Sequence, residues 1–393
     1  MKLVTASFLP LLDASILIAA REKGFAEGEG IDLRLSREVS WANVRDRMAI
    51  GHFDVAHMLA PMPLASNLGL TPISERIIAP MALGSGGNAV TVSKALSEAL
   101  DLPVSLDDPA EAGRSLRRLI AARQSNGDAP LRFGVVHPHS SHFFELRYWL
   151  AACGIDPETE IDTIVLPPPY MADALKRGTI DGYCVGEPYN TAALEAGDGV
   201  LLTTKNAIWR NSPEKVLGVR EDWADDNPEM LGDLLRALYR SAEWCGTVAN
   251  RRELATILSS GQYLNASAEL LEAALAGPAG FEPFAHVATY PWQSHALWFY
   301  SQMVRWGQVE HTVEHASTAS RSFRPDIYRD VLAPTGAPVP SANAKVEGAL
   351  LEPTPVGAGQ ARLILGPDGF FDGRIFDPEA LDRYISEQRR ARN

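Results

Sequence analysis

The chain has 393 residues, too many for one compact domain of ordinary size, so two lobes, or two and an appendage, are expected. Its 46% hydrophobic and 22% charged residues suit real cores in a soluble globular protein. The formal charge of −13 disfavours broad binding to nucleic acid or to an anionic membrane, but leaves room for a small basic pocket.

A strand at 3–7 leads into a helix at 13–23, closed by Arg21-Glu22-Lys23-Gly24, and a second strand at 31–35. The apolar stretch 9–20 is too short to span a bilayer and is interrupted by Asp13. It lacks the basic start and small-residue cleavage site of a secretory signal, so a cytoplasmic protein is expected. Ser40 can cap a helix at 41–50; a strand at 54–57, a helix near Met62 and a strand at 77–82 follow. Strands alternating with helices predict a parallel α/β sheet. After the cluster Gly84, Gly86, Gly87 a second α/β series runs over 88–211. It holds a helix at 93–100, a strand at 131–135, a helix at 143–152 ending at Gly154, and a strand at 161–165. The brake Pro167-Pro168-Pro169 precedes a helix at 172–177, then a strand at 182–185 with a turn at Gly186. Long helices are predicted at 228–247, 252–259, 267–275 and 293–306, and the Pro-, Ala- and Thr-rich segment 325–340 reads as a connector or extended arm. The expected partition is residues 1–87 with 216–330 as lobe 1, 88–215 as lobe 2, and 331–393 as a C-terminal arm or appendage.

Three junctions carry possible chemistry. Gly84-Ser85-Gly86-Gly87-Asn88 follows a strand and precedes a helix, so free backbone N–H groups can converge on an anion; an ordinary turn is the alternative. It matches neither a phosphate loop nor a dinucleotide fingerprint. His137-Pro138-His139-Ser140-Ser141-His142 invites a metal, yet no Cys or carboxylate cluster is evident nearby; ligand contact or helix capping by His142 are the competing roles. At that position an anion favours protonation of His142 and the helix end disfavours it. At Gly186-Glu187-Pro188-Tyr189, Pro188 suits a first helical turn and the Glu187 N–H can face a ligand. The Glu187 carboxylate would repel an anion and is expected to turn toward lobe contacts. Lys215 lies where the second series returns to the first lobe, as a cleft cation or a surface lysine. Trp41, after Ser40, forms either an aromatic wall or part of the core.

Tyr290, Trp292, Trp298, Phe299, Tyr300 and Trp306 follow helical spacing without interleaved basic residues, which favours a packed core over a nucleic-acid surface. Cys153, Cys184 and Cys245 are few and scattered; they form no metal motif and fit a reducing compartment. No nucleophile elbow, Ser-His-Asp order or acid/base carboxylate pair stands out, so no enzyme is expected.

The runs Trp41-Ala42-Asn43-Val44-Arg45-Asp46, His57 through Pro63, His137-Pro138 through Arg147-Tyr148-Trp149, Val165-Leu166-Pro167-Pro168-Pro169, Cys184-Val185-Gly186-Glu187-Pro188 and Pro213-Glu214-Lys215 occur in one order. Over residues 1–330 the chain resembles the periplasmic nitrate- and bicarbonate-binding proteins of ABC transporters, and more nearly the NasS-type cytoplasmic nitrate/nitrite sensors. The resemblance implies a type II periplasmic-binding-protein fold, two α/β lobes with an interlobe ligand cleft. It implies an anion pocket of Trp41, Asn88, His142, Gly186, Glu187 and Lys215. Asn88 departs from the usual glutamine, and Tyr189 from a common tryptophan. No calcium loop, metal or cofactor is expected. A NasS-type sensor would hold a NasT-type antiterminator with an ANTAR RNA-binding domain and release it on binding nitrate or nitrite. The chain itself would contact neither nucleic acid nor membrane. The alternatives are a nitrate- or bicarbonate-binding component of an ABC transporter, and an enzyme of thiamine-pyrimidine synthesis on the same fold, which the lack of a nucleophilic cysteine cluster disfavours.

Overall fold

Short apolar runs separated by helices fold into two five-stranded sheets in a computed structural model that describes residues 1–100, 106–358 and 361–390. The chain first lays down β1 (Lys2–Phe8), β2 (Ile31–Arg37), β3 (Val55–Leu59) and β4 (Ile77–Ala82). It then crosses to build β5 (Asn88–Ser93), β6 (Leu131–Val135), β7 (Ile161–Val165), β8 (Gly182–Gly186) and β9 (Gly199–Thr204). It returns as β10 (Lys215–Arg220), which inserts into the first sheet. The strand orders are β2-β1-β3-β10-β4 and β7-β6-β8-β5-β9. These two α/β lobes with a cleft between them are the architecture that the resemblance implied.

The sheets are mixed, a correction to the parallel expectation. β1 pairs in parallel with β2 and β3, and β6 with β7 and β8. β10 runs antiparallel to β3 and β4, and β5 antiparallel to β8 and β9. The antiparallel strands are those that begin at a crossing: each enters its sheet from the other lobe, at the end where the parallel strands leave.

The two crossings, residues 83–87 and 205–214, lie side by side. Gly86 N–H donates to the Ser212 carbonyl at 3.1 Å, and Leu83 N–H to that of Lys215 at 2.8 Å. Gly84 and Gly86 have φ of 90° and 68°. A Cβ on Gly86 would stand 2.3 Å from the Gly280 carbonyl oxygen, so the glycines let the crossing press against residues 280–282.

After β10, the helix Pro228–Gly246 covers lobe 1 and the helix Gln293–Arg305 lies deep in the core, with Trp298, Phe299 and Tyr300 buried. The segment expected as a connector at 325–340 contains a helix, Pro325–Leu332, with proline in its first turn, where its missing N–H does no harm. The helix Pro109–Asn126 also went unanticipated; Asp108 caps it by accepting the Glu111 N–H at 2.9 Å. From residue 331 onward the chain adds the hairpin β11 (Thr354–Ala358) and β12 (Ala361–Leu365) and a last helix, Leu381–Arg390; residues 359–360 and 391–393 lie outside the described residues. No helix among the described residues is long and apolar enough to cross a membrane.

Candidate functional site

In open α/β sheets, ligands bind beyond the carboxyl ends of the strands. Here the loop after β1 meets the loop after β8: Leu12 N–H donates to the Glu187 carbonyl at 2.9 Å, and Tyr189 Oη to that of Pro10 at 3.0 Å. Behind these bonds the cleft is closed over a cluster of charged groups drawn from both lobes.

Lys215, the first residue of β10, is fully buried. Its ammonium lies 2.8 Å from Asp13 Oδ2 and 2.5 Å from Glu214 Oε1. The Trp41 ring stands with its centroid 5.4 Å from Lys215 Nζ. Ser40 positions Trp41 by accepting the Asn43 N–H and starting the helix Trp41–Ala49 at that point. His57, on β3, places Nε2 2.8 Å from Asp13 Oδ1 and packs against Trp41 at 5.4 Å between ring centroids.

The second lobe supplies the rest. Asn88 opens β5 and donates from Nδ2 to Glu214 Oε2 at 2.6 Å. Ser140 caps the helix Ser141–Ala152 by accepting the Phe143 N–H at 3.0 Å, and that helix carries three groups toward the cleft. The Ser141 hydroxyl donates to Glu214, His142 Nε2 stands 3.5 Å from Glu214 Oε1, and Glu145 Oε1 lies 3.1 Å from Lys205 Nζ. Lys205 in turn reaches Glu214 Oε2 at 2.5 Å. Gly186 pairs with Asn88 across β8 and β5; a Cβ there would stand 3.2 Å from Asn88 Oδ1 and 3.3 Å from Leu11 Cδ2, so glycine keeps this wall thin.

Burial and charge set the protonation states. Burial pushes the Glu214 carboxyl up, but Lys205 and Lys215 outweigh it and hold the group well below its ordinary value. Burial likewise opposes ionisation of Asp13, and Lys215 with His57 overcome it. Lys215 is raised despite burial, because Asp13 and Glu214 flank it. Burial pushes Glu145 up to about 8, against the pull of Lys205, so it is protonated at neutral pH. His142 is lowered to about 3 by burial, which the Glu214 charge only partly offsets, and is a neutral imidazole. His57 is lowered too, by burial against the pull of Asp13.

Of the six residues expected at a pocket, Trp41, Asn88, His142, Gly186 and Lys215 therefore stand around one point. Glu187 faces away from it. Its N–H donates to the Gly87 carbonyl at 3.0 Å, and its Oε2 accepts the Thr191 N–H at 3.1 Å. Burial raises its carboxyl to about 7. The glycine junction behaves as a turn: the N–H groups of Ser85, Gly86 and Gly87 all reach carbonyls, of Glu282, Ser212 and Ala279. Asn88 begins a strand there and not a helix. His137 Nδ1 accepts the His139 N–H at 3.0 Å, and no group of three or more His, Cys, Asp or Glu side chains suited to a metal occurs among the described residues.

Asp13, Glu145, Lys205 and Glu214 were not singled out as site residues. Asp13 and Glu145 had a signal, a carboxylate inside an apolar run, which must find a partner when buried. Lys205, in a polar Thr-Lys-Asn run, had none.

A family model described as the NMT1-like family matches residues 2–259. The nitrate/nitrite binding protein NrtA of Synechococcus elongatus is 30% identical over 97% of this chain and 85% of its own length. The bicarbonate transport ATP-binding protein CmpC of Synechocystis sp. is 35% identical over 77% of this chain, which spans 45% of that larger protein. The crystal structure of the periplasmic nitrate-binding protein NrtA from Synechocystis PCC 6803 superposes with a TM-score of 0.85 at 26% identity, over 99% of this chain and 98% of that one.

These relatives overturn the expectation of a NasS-type cytoplasmic sensor, and with it the NasT-type ANTAR partner, the antitermination role and the cytoplasmic location. The motifs behind that expectation build the fold and the buried charge cluster between the lobes, so they cannot separate a sensor from a transport protein. The cysteines do not decide the compartment either. Cys184 and Cys245 are buried, half-buried Cys153 is raised to about 11 by burial, and all three serve as small apolar groups. The likeness also runs past residue 330, into the C-terminal arm. The two relatives matched along nearly the whole chain are nitrate-binding proteins, in keeping with the expectation of no enzyme.

Proposed function

The chain belongs to the NMT1-like family, and on that premise we propose that it is the solute-binding component of an ABC-type uptake system for a small planar oxyanion: nitrate, nitrite or bicarbonate. The observation that carries this is the match along nearly the whole chain to a periplasmic nitrate-binding protein, at a TM-score of 0.85. Its partners are then the membrane and ATP-hydrolysing subunits of such a system, and it works outside the inner membrane.

The site chemistry supports the ligand class. Trp41, Asn88, His142 and Lys215 gather a flat aromatic ring, an amide, a neutral imidazole and an ammonium around the buried Glu214 carboxylate between the lobes, with Gly186 beside Asn88. Trp41 Nε1 and both ring nitrogens of His142 are buried with no hydrogen-bond partner, so they are available to a ligand. A buried anion loses its hydration, and each charge-assisted bond returns about 1.5–3 kcal/mol. Lobe closure about the two crossings then brings the two halves of the donor set together.

Calorimetry with nitrate, nitrite and bicarbonate, with sulfate as the control, tests the proposal. Saturable binding of at least one planar anion, with sulfate rejected, is the expected outcome. Absence of saturable heat for all three at millimolar concentration overturns it.

A further inference from the structure

We propose that Glu214 is an internal competitor for the anion, and that an external planar anion is held only when this carboxylate takes up a proton from solvent. The inference rests on the anion-binding function proposed above and concerns how that same site is controlled.

A carboxylate is planar, trigonal and singly charged, as nitrate and bicarbonate are. Glu214 is fully buried, and the donors expected to serve the ligand converge on it. Asn88 Nδ2, from β5, lies 2.6 Å away and Lys215 Nζ, from β10, 2.5 Å. Lys205 Nζ comes from the crossing segment at 2.5 Å, and Ser141 Oγ from the helix Ser141–Ala152. His142, on that helix, faces Oε1, the oxygen that Lys215 also reaches, at 3.5 Å. The titratable groups one shell further out are Asp13 and His57, beyond Lys215, Glu145, beyond Lys205, and Cys184 on β8, whose thiol is raised by burial and by the charges of Glu145 and Glu214. Glu214 thus makes the contacts that a bound anion would need.

Two ammonium groups face two carboxylates, Asp13 and Glu214, while Glu145 holds its proton. The cluster is neutral before any ligand arrives. A further anion in this closed space leaves one buried negative charge uncompensated, and a like charge at such range raises the pKa of the neighbouring carboxyl. One proton on Glu214 restores neutrality, frees Lys205 and Lys215 to turn to the ligand, and makes the acid a donor. No other bond is made or broken.

Nitrate is the probe, because it carries no titratable proton near neutrality. Titrations by calorimetry at pH 6, 7 and 8, in ACES, HEPES and Tris, yield both the affinity and the protons exchanged. The expected result is uptake of about one proton per anion and a Kd that rises toward tenfold per pH unit. Glu214→Gln is expected to bind nitrate independently of pH, and no more weakly than the native protein at pH 8. Should the protein take bicarbonate alone, the same proton count in a sealed cell above neutral pH reads the same linkage. Tight binding with no proton exchange and a flat Kd overturns the competitor role and leaves the anion-binding function standing. A folded Glu214→Gln protein that loses the anion also overturns it, since Glu214 would then be orienting the donors. Failure of the native protein and the variant to bind any planar anion removes both.

Discussion

Lys215 is the residue on which both lobes' chemistry depends. Its ammonium neutralises Asp13 and Glu214 in buried surroundings, so Lys215→Ala leaves two buried carboxylates short of a partner. Breaking a buried pair in this way costs about 3–5 kcal/mol. Melting temperature is therefore expected to fall along with anion affinity, and a variant of native melting temperature and native affinity would remove Lys215 from the site. Glu145 offers a separate test through pH. Its folded-state value of about 8 lies above its ordinary 4.5, so between these the folded protein keeps a proton that the unfolded chain has released. Stability from this group is complete below the lower value and falls as pH rises through the window, by up to about 1.4 kcal/mol per unit. Glu187, raised to about 7, has the same sign but acts below that value. The lowered His57, His137, His139 and His142 act in the opposite sense, and only below their ordinary 6.5. From pH 7 to 8, Glu145 stands alone among the shifted carboxyl and imidazole groups. Melting temperature is expected to drop across that interval, and Glu145→Gln to flatten the drop; an unchanged slope in the variant rejects the buried acid.

At the scale of single elements, the helix Ser141–Ala152 matters most, because its first two turns present Ser141, His142 and Glu145 together. Ser140 fixes its start: its Oγ accepts the Phe143 N–H and donates to the His137 carbonyl at 2.7 Å, all in buried surroundings. Ser140→Ala removes the cap at a cost of about 0.5–2 kcal/mol. Both thermal stability and anion affinity are expected to fall, since the helix end carries groups of the proposed site; loss of stability with unchanged affinity would show that the end is held by other contacts. The legibility of the elements follows the same logic. Ser40 before Trp41 announces a helix start, and 77–82, 131–135 and 161–165 read as strands from their apolar, β-branched content. β9 and β10 went unread because Gly-Val-Leu-Leu-Thr-Thr and Lys-Val-Leu-Gly-Val-Arg are short apolar runs without alternation, which periodicity cannot assign. The same limit hid the antiparallel pairings, since strand direction follows from the crossings and not from local pattern. The expected pocket residues had recognisable types, yet what surrounds Lys215 could not be read: Asp13 is 202 positions away, and only the folded sheets bring the two together.

Across the whole molecule, closure is held at two places, the buried ion cluster and the C-terminal arm. The arm returns from lobe 1, where Ser294 Oγ donates to Glu347 at 2.6 Å, to the opposite lobe, where Tyr148 Oη donates to Asp372 at 2.9 Å. Between these points Phe370 stacks on Trp209 of the crossing segment, with centroids 4.6 Å apart and planes at 21°, and Trp209 packs on Trp298 at 4.7 Å. In the proposed lobe closure, a rotation about the crossings would slide this aromatic stack, so its burial opposes opening. Phe370 is only 6% exposed, and its removal costs about 3–5 kcal/mol. Because the stack bears on the crossing, Phe370→Ala is expected to lower the melting temperature and also to shift the anion-free protein toward an open form. Small-angle scattering reads the second effect: a larger radius of gyration without anion, restored toward the native value on saturation. A variant that melts early yet scatters identically with and without anion would place the arm outside the hinge motion, leaving the ion cluster alone to hold the lobes shut.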